Sequence, residues 1–117
     1  MSKVHAVLYT KTNCMPCKMT SKLIDKLNLP FKANYHDNLE ETNLIDVASN
    51  DEAKREWSER KIEKLKAKYN ITSLPFVKIL DDDTGEELDT WTGFVPDKLK
   101  FWTEYNKEEE LNATSRN

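Results

Sequence analysis

Cysteine is nearly absent from this 117-residue chain: there are two, placed together as Cys14-Met15-Pro16-Cys17. Histidine is as scarce, with only His5 and His36. Zinc wants four ligands, and these two histidines flank the cysteines from opposite sides without zinc-finger spacing, so no metal is expected. No stretch approaches the ~20 apolar residues that a membrane span needs. Met1-Ser2-Lys3-Val4-His5-Ala6 lacks the apolar region of a signal peptide. Asn70-Ile71-Thr72 and Asn112-Ala113-Thr114 match the glycosylation pattern and, without such a signal, read as chance. Charge is close to balanced, 18 basic against 21 acidic for a net of −3, and no basic stripe stands apart from acids, which argues against nucleic acid. Repeats and linkers are also missing. One cytoplasmic, monomeric domain with a single core is the expectation. In that setting a lone CxxC reads as catalytic rather than structural.

The neighbourhood of the cysteines supports this. The apolar stretch Val4-His5-Ala6-Val7-Leu8-Tyr9 precedes them and predicts a strand from about Lys3 to Tyr9. Met19, Leu23, Ile24 and Leu27 recur at helical spacing after them. The helix is expected from about Met15 to Asn28, ending before Pro30. A strand, a tight loop with CxxC, then a helix is how a dithiol redox centre is built. The helix N-terminus offers unpaired N–H groups and the positive end of its dipole. A thiolate there is stabilised, and the thiolate is the form that attacks disulfides. Cys14 is therefore expected to be the exposed nucleophile, with Cys17 inside the first turn as the resolving thiol. A structural disulfide is a poor alternative, since so small a loop constrains little of the unfolded chain.

Phe31 to Tyr35 alternates apolar and polar residues and predicts a short second strand. Residues 37–70 form a long polar stretch expected to be helical. Leu44, Val47 and Ala48 fit one helical face. Ser49-Asn50-Asp51-Glu52 has capping-box spacing, and Ala53, Trp57, Ile62, Leu65 and Tyr69 mark a longer amphipathic helix. Its charges interleave in sign, as on a solvated face. Leu74 to Leu80 predicts a third strand, entered through Pro75. Asp81-Asp82-Asp83-Thr84-Gly85 reads as a turn. Its three aspartates lack the spacing of a calcium loop. Glu86 to Thr92 predicts a fourth strand, broken by Gly93. Pro96 opens a last helix with Leu99, Trp102 and Tyr105. His36, Trp57 and Trp102 read as packing or surface residues. The domain is expected to span residues 1–106, with 107–117 a polar, frayed tail. The order βαβ, helical material, ββα predicts an α/β fold: a mixed four-stranded sheet with helices on both faces.

With CxxC at the first helix and Pro75 at the third strand, the chain resembles the thioredoxin fold, on the glutaredoxin side. Asn13 and Leu8 stand where thioredoxins usually have tryptophan and a buried aspartate. The strongest resemblance is to NrdH-redoxins, small electron donors of class Ib ribonucleotide reductase. Three segments carry it: Tyr9-Thr10-Lys11 leading into Asn13-Cys14 and Cys17-Lys18-Met19-Thr20, then Thr72-Ser73-Leu74-Pro75-Phe76-Val77, then Trp91-Thr92-Gly93-Phe94-Val95-Pro96. Glutaredoxins have a Gly-Gly pair followed by Asp in the last place, and hold glutathione with it. Here Thr92 replaces the first glycine and Phe94 follows Gly93. Pro16 within CxxC and the length of 37–70 depart from the NrdH pattern.

The resemblance implies a cis bond before Pro75, with Leu74 offering backbone N–H and C=O groups to an extended peptide. Lys11 would either favour the Cys14 thiolate or be an ordinary solvated lysine. Trp91 would either hold the final loop or touch a partner. The partner-binding surface is expected at Lys11, Met15, Pro16, Ser73, Leu74, Pro75, Gly93 and Phe94. The implied activity is dithiol–disulfide exchange through Cys14–Cys17, with no metal or organic cofactor. Electrons would come from thioredoxin reductase and go to ribonucleotide reductase or other protein disulfides. A glutathione-dependent glutaredoxin is the alternative. From another class, a binding module or zinc-holding scaffold on the same fold is the rival.

Overall fold

A computed structural model describes residues 3–32 and 44–115. The elements are β1 (Val4–Lys11), α1 (Met15–Leu27), β2 (Phe31–Lys32), β3 (Leu44–Ile45), α2 (Glu52–Tyr69), β4 (Phe76–Asp81), β5 (Glu87–Thr92) and α3 (Pro96–Ser115). The main sheet runs β2-β1-β4-β5, with β1 parallel to β2, antiparallel to β4, and β4 antiparallel to β5. This is the mixed four-stranded α/β sheet expected.

β1 is the centre of the molecule, and its side chains alternate between two cores as a strand requires. Val4, Ala6 and Leu8 face one way and pack with Ile24 and Leu29 around α1, Val77, Ile79 and Trp91 of the sheet, and Leu99 and Trp102 of α3. Val7 and Tyr9 face the other way and pack with Phe76, Leu65 of α2, Ile45, Ile71, Leu74 and the two cysteines. A strand covered on both faces reads as a continuous apolar run, which is why 6–9 shows no polar alternation. α1 and α3 cover one face of the sheet, and α2 covers the other.

Asn106 holds α3 to the start of β1. Its Oδ1 accepts the Val4 N–H at 2.8 Å, and its Nδ2 donates to the Val4 carbonyl at 3.0 Å. On the other sheet face Tyr9 stacks on Phe76 at 5.9 Å, and Tyr69 of α2 meets Phe76 at 4.8 Å. Lys78 lies 5.6 Å over both tyrosine rings and 3.5 Å from Glu87. The Tyr69 hydroxyl donates to the same Glu87 carboxylate.

The local signals mostly act as their chemistry suggests. Asn28 ends α1 and Asn70 ends α2, both left-handed at φ 58 and 56, a conformation asparagine tolerates. In the turn after β4, Asp81 Oδ1 accepts the N–H groups of Asp83 and Thr84 at 2.9 and 3.0 Å, and Gly85 adopts φ +75. The aspartates make a turn. Trp91 is buried in the α1/α3 core, with the Lys98 ammonium 5.3 Å over its ring. It therefore packs. Trp102 packs too and donates from Nε1 to Asp89 at 3.2 Å.

Four expectations are corrected, and part of a fifth lies outside the described residues. Leu44, Val47 and Ala48 do not form a helical face. Leu44 and Ile45 pair parallel with Thr10 and Lys11, extending β1 two residues beyond Tyr9. Ile45 is 4% exposed and Val47 51%, the reverse of the helical assignment. The buried Ser58 hydroxyl accepts the Asp46 N–H at 2.9 Å, tying this segment to α2. The helix cap is Asp51, not Ser49: its carboxylate takes the Ala53 and Lys54 N–H groups itself, so α2 starts at Glu52. The third predicted strand begins at Phe76 rather than Leu74. The second strand covers Phe31–Lys32, and its expected continuation to Tyr35 lies outside the described residues, as does His36. Finally, α3 runs past Lys107 to Ser115 instead of ending near 106.

Two predictions follow from these contacts. Asn106→Leu keeps the branched shape but leaves two buried backbone groups of Val4 without partners, so it should destabilise the chain by about 2–5 kcal/mol in urea unfolding; a variant as stable as the parent would mean the clamp contributes nothing. Burial raises the Glu87 pKa, yet the Tyr69 hydrogen bond and the Lys78 and Lys68 ammoniums outweigh it, and the net shift is below the ordinary 4.5. A lowered folded-state pKa gives stability that is present above the unfolded value and lost as pH falls through the folded one. Stability should therefore drop as pH falls below about 4.5, and Glu87→Gln should flatten that part of a thermal-unfolding pH profile.

Candidate functional site

The cysteine pair sits where β1 ends and α1 begins. Thr12 and Asn13 turn the chain, with Asn13 left-handed at φ 53. Cys14 then returns to extended backbone (φ −119, ψ 105) and is the N-cap of α1. An N-cap side chain accepts an early helical N–H, and here the acceptor is sulfur: Cys17 N–H donates to Cys14 Sγ at 3.2 Å. Pro16 occupies the first turn, where its missing N–H costs nothing. The Thr20 hydroxyl, fully buried, donates to the Pro16 carbonyl at 2.8 Å and braces that turn. Cys14 and Cys17 are joined in a disulfide with Cα atoms 5.2 Å apart.

The two other segments singled out in the sequence converge here. The Leu74–Pro75 peptide is cis. The Leu74 carbonyl oxygen lies 3.8 Å from Cys14 Sγ. The Pro75 carbonyl accepts the Gly93 N–H at 2.9 Å, with Gly93 at φ +85. Space around Gly93 is open, so the glycine is required by its backbone angle rather than by crowding. Cys14, Leu74, Pro75 and Gly93 thus form one connected chain of contacts, with Phe94 half-buried beside it. Met15, Pro16 and Ser73 are exposed around it.

One expectation changes. Cys14 is 5% exposed and Cys17 4%, so exposure does not distinguish them in the disulfide state. Position does. Cys14 stands outside the helix against the Leu74 carbonyl, while Cys17 lies within the first turn and supplies the N–H that Cys14 accepts. The cause of the burial is the cis-proline loop and Ile45, which pack around the pair.

Lys11 is exposed, at the end of β1. It lines a cleft of about 280 Å³ together with Ile45, Val47, Ile62, Lys66, Ser73 and Leu74. The far wall of this cleft escaped the sequence reading. Ile62 belongs to the expected amphipathic stripe, but Val47 is expected on a helical face that does not form, and Ile45 carries no signal of its own. Among the described residues no group of three His, Cys, Asp or Glu side chains gathers as a metal site. His5 contacts Asp82 at 2.6 Å, at the other end of β1 from the cysteines.

The arrangement can do thiol chemistry. Once the disulfide is reduced, the Cys17 N–H and the helix dipole favour negative charge on Cys14 Sγ. Leu74, whose N–H has no partner among the described residues, gives an extended chain a place to pair beside the sulfur.

Comparisons with known proteins agree at the level of the fold. No family model matches the chain. A thioredoxin-like protein of the SPβ prophage, YosR of Bacillus subtilis, is 29% identical over 87 residues, covering 74% of this chain and 79% of that protein. Among solved structures, Escherichia coli NrdH-redoxin is similar with TM-score 0.51 and 21% identity, covering 83% of this chain and 92% of its own. An Archaeoglobus fulgidus glutaredoxin reaches TM-score 0.50 at 22% identity over 87% and 86% of the two chains. A Schistosoma mansoni thioredoxin reaches 0.51 at 21% over 89% and 79%. Three branches fit equally well, so the shared property is the thioredoxin fold.

The asymmetry of the pair sets a test. Cys17→Ser should trap mixed disulfides with protein substrates, whereas Cys14→Ser should not. In Cys17→Ser, alkylation rate against pH should place the Cys14 thiol below a free cysteine. Equal trapping by both variants would reverse or erase the assigned roles.

Proposed function

We propose, from its place in the thioredoxin superfamily, that this chain is a dithiol–disulfide oxidoreductase serving as a small cytoplasmic electron donor of the NrdH-redoxin kind. The observation that carries this reading is the Cys17 N–H at 3.2 Å from Cys14 Sγ, beside the Leu74 carbonyl. The Cys14 thiolate attacks one sulfur of a partner disulfide, forming a mixed disulfide and releasing the other partner sulfur as a thiolate. The Cys17 thiolate then attacks Cys14 Sγ. The second partner thiol leaves, and the Cys14–Cys17 disulfide remains. The partner gains two electrons and two protons, and the chain loses them. No metal or organic cofactor takes part.

The choice of reductant rests on residues 92–94. Holding glutathione as glutaredoxins do would need a bare backbone there. Instead Thr92 and Phe94 place side chains on either side of Gly93, whose N–H already serves Pro75. This favours a protein reductant such as thioredoxin reductase, with ribonucleotide reductase or similar protein disulfides as acceptors.

NADPH consumption should be far faster with thioredoxin reductase than with glutathione and glutathione reductase at matched thiol concentration. Turnover with glutathione alone would make the chain a glutaredoxin instead.

A further inference from the structure

A cleft of about 280 Å³ opens beside the cysteine pair, and the thiol exchange itself does not require it. Its floor is apolar and buried: Ile45, Ile71 and Leu74 are 4%, 7% and 9% exposed. Ile62 of α2 forms part of the wall. Val47 lines it too and is left 51% exposed, so an occupant would cover apolar surface that now faces water. Lys11 and Lys66 also line it, both exposed. Neither ammonium has a carboxylate partner among the described residues. Two carboxylates bear on this balance. Asp46 lines the cleft and accepts the Ala48 N–H with Oδ1 at 3.2 Å. Glu63 stands three residues before Lys66 on α2 but does not line the cleft. The lining therefore sets two cations against one carboxylate that already holds a turn.

Leu74 joins this cleft to the sulfur chemistry. It lines the cleft, and its carbonyl oxygen lies 3.8 Å from Cys14 Sγ. An extended chain that pairs with Leu74 turns alternate side chains to opposite sides. In such strand addition the backbone gives affinity, and pockets for alternate side chains give specificity. The cleft is also smaller than the ~300–1,000 Å³ of most small-molecule sites, which suits a single side chain. We propose that it is the specificity pocket for the protein substrate, a proposal that rests on the reading of this chain as a disulfide reductant. The pocket takes one aliphatic side chain close to the attacked cysteine. A carboxylate on the same side of the extended chain meets Lys11 and Lys66. β3 gains a purpose by this. Its pairing with Thr10 and Lys11 sets Ile45 against the end of β1, and Ser58 ties Asp46 to α2. The short strand therefore holds one side of the pocket in place.

Reduction of synthetic peptide disulfides by the prereduced chain tests this, with second-order rates read by chromatography. Leucine is placed in turn at each of the two positions on either side of the cysteine. Glutamate stands two residues beyond it, on the same side of an extended chain. Comparison sets replace leucine by serine, or glutamate by lysine. Hydroxyethyl disulfide, which has no side chain for the pocket, reports the thiol chemistry alone. In the best placement, the leucine peptide should react about tenfold or more faster than the serine peptide, the scale of discrimination in an apolar pocket. Glutamate should outpace lysine there, by a margin that shrinks from about 50 to about 500 mM salt. Lys66→Glu should reverse the charge preference and keep the preference for leucine. Val47→Ser should shrink the leucine preference and keep the charge preference. Both positions are exposed, so neither change disturbs the core. Reduction of hydroxyethyl disulfide with no preference for leucine in any placement overturns the pocket alone. No reduction of any disulfide overturns the redox reading and the pocket with it.

Discussion

The hydrogen bond from Cys17 N–H to Cys14 Sγ, at 3.2 Å, joins helix formation to sulfur chemistry. A helix start needs an acceptor for its early N–H groups. Most helices use a hydroxyl or a carboxylate, as α2 does with Asp51. α1 uses the sulfur. Reduction would turn that acceptor from one half of a disulfide into an anion without moving the donor. The helix that carries Cys17 is therefore placed by the atom on which Cys17 acts.

This geometry holds because β1 cannot move. It is hydrogen-bonded on both edges and buried on both faces, and its last residues are extended by pairing with Leu44–Ile45. Asn106 fixes its beginning. The cis-proline loop enters β4, the strand directly paired with β1, so Leu74 arrives beside Cys14 as a consequence of sheet register: Tyr9 pairs with Phe76. Gly93 closes the same arrangement from β5, since Phe76 also pairs with Thr92. Three segments far apart in sequence meet because three neighbouring strands end at the same edge of the sheet.

What the sequence revealed follows from this. The strand–CxxC–helix signal is local, and the helix starts at Met15 as expected. The two-sided burial of β1 left an uninterrupted apolar run, and the Asp81–Gly85 turn carried its own chemistry. The failures, the Ser49 cap apart, are non-local. Leu44, Val47 and Ala48 have helical spacing, but the Asp46 N–H finds Ser58 and Ile45 finds β1, and neither partner is visible in a short window. Ser49 had capping-box spacing, yet Asp51, two residues on, supplied a carboxylate in the better position. The exposure of Cys14 could not be read because the residues that cover it, Leu74 and Ile45, come from elsewhere in the chain. Asn106 gave no signal, since a polar residue on a helix reads as surface until its backbone partner is known.

The contrast between α2 and the α1/α3 layer is the last physical step. α2 mixes both charge signs around its surface and exposes no large apolar side chain, as a solvated helix should. α1 instead sets Lys18, Lys22 and Lys26 one turn apart, and like charges at that spacing disfavour a helix by about 0.2–0.5 kcal/mol a pair. Asp25, three residues after Lys22, offsets part of that cost. On α3, Lys100 and Lys107 stand four residues before and three after Glu104 and do the same for its acidic side chains. Lys26 suits the C-terminal end of its dipole, but Lys18, near the N-terminus, does not. The helix that carries the cysteine pair is thus held by the burial of Cys17, Thr20 and Ile24 rather than by its surface charges.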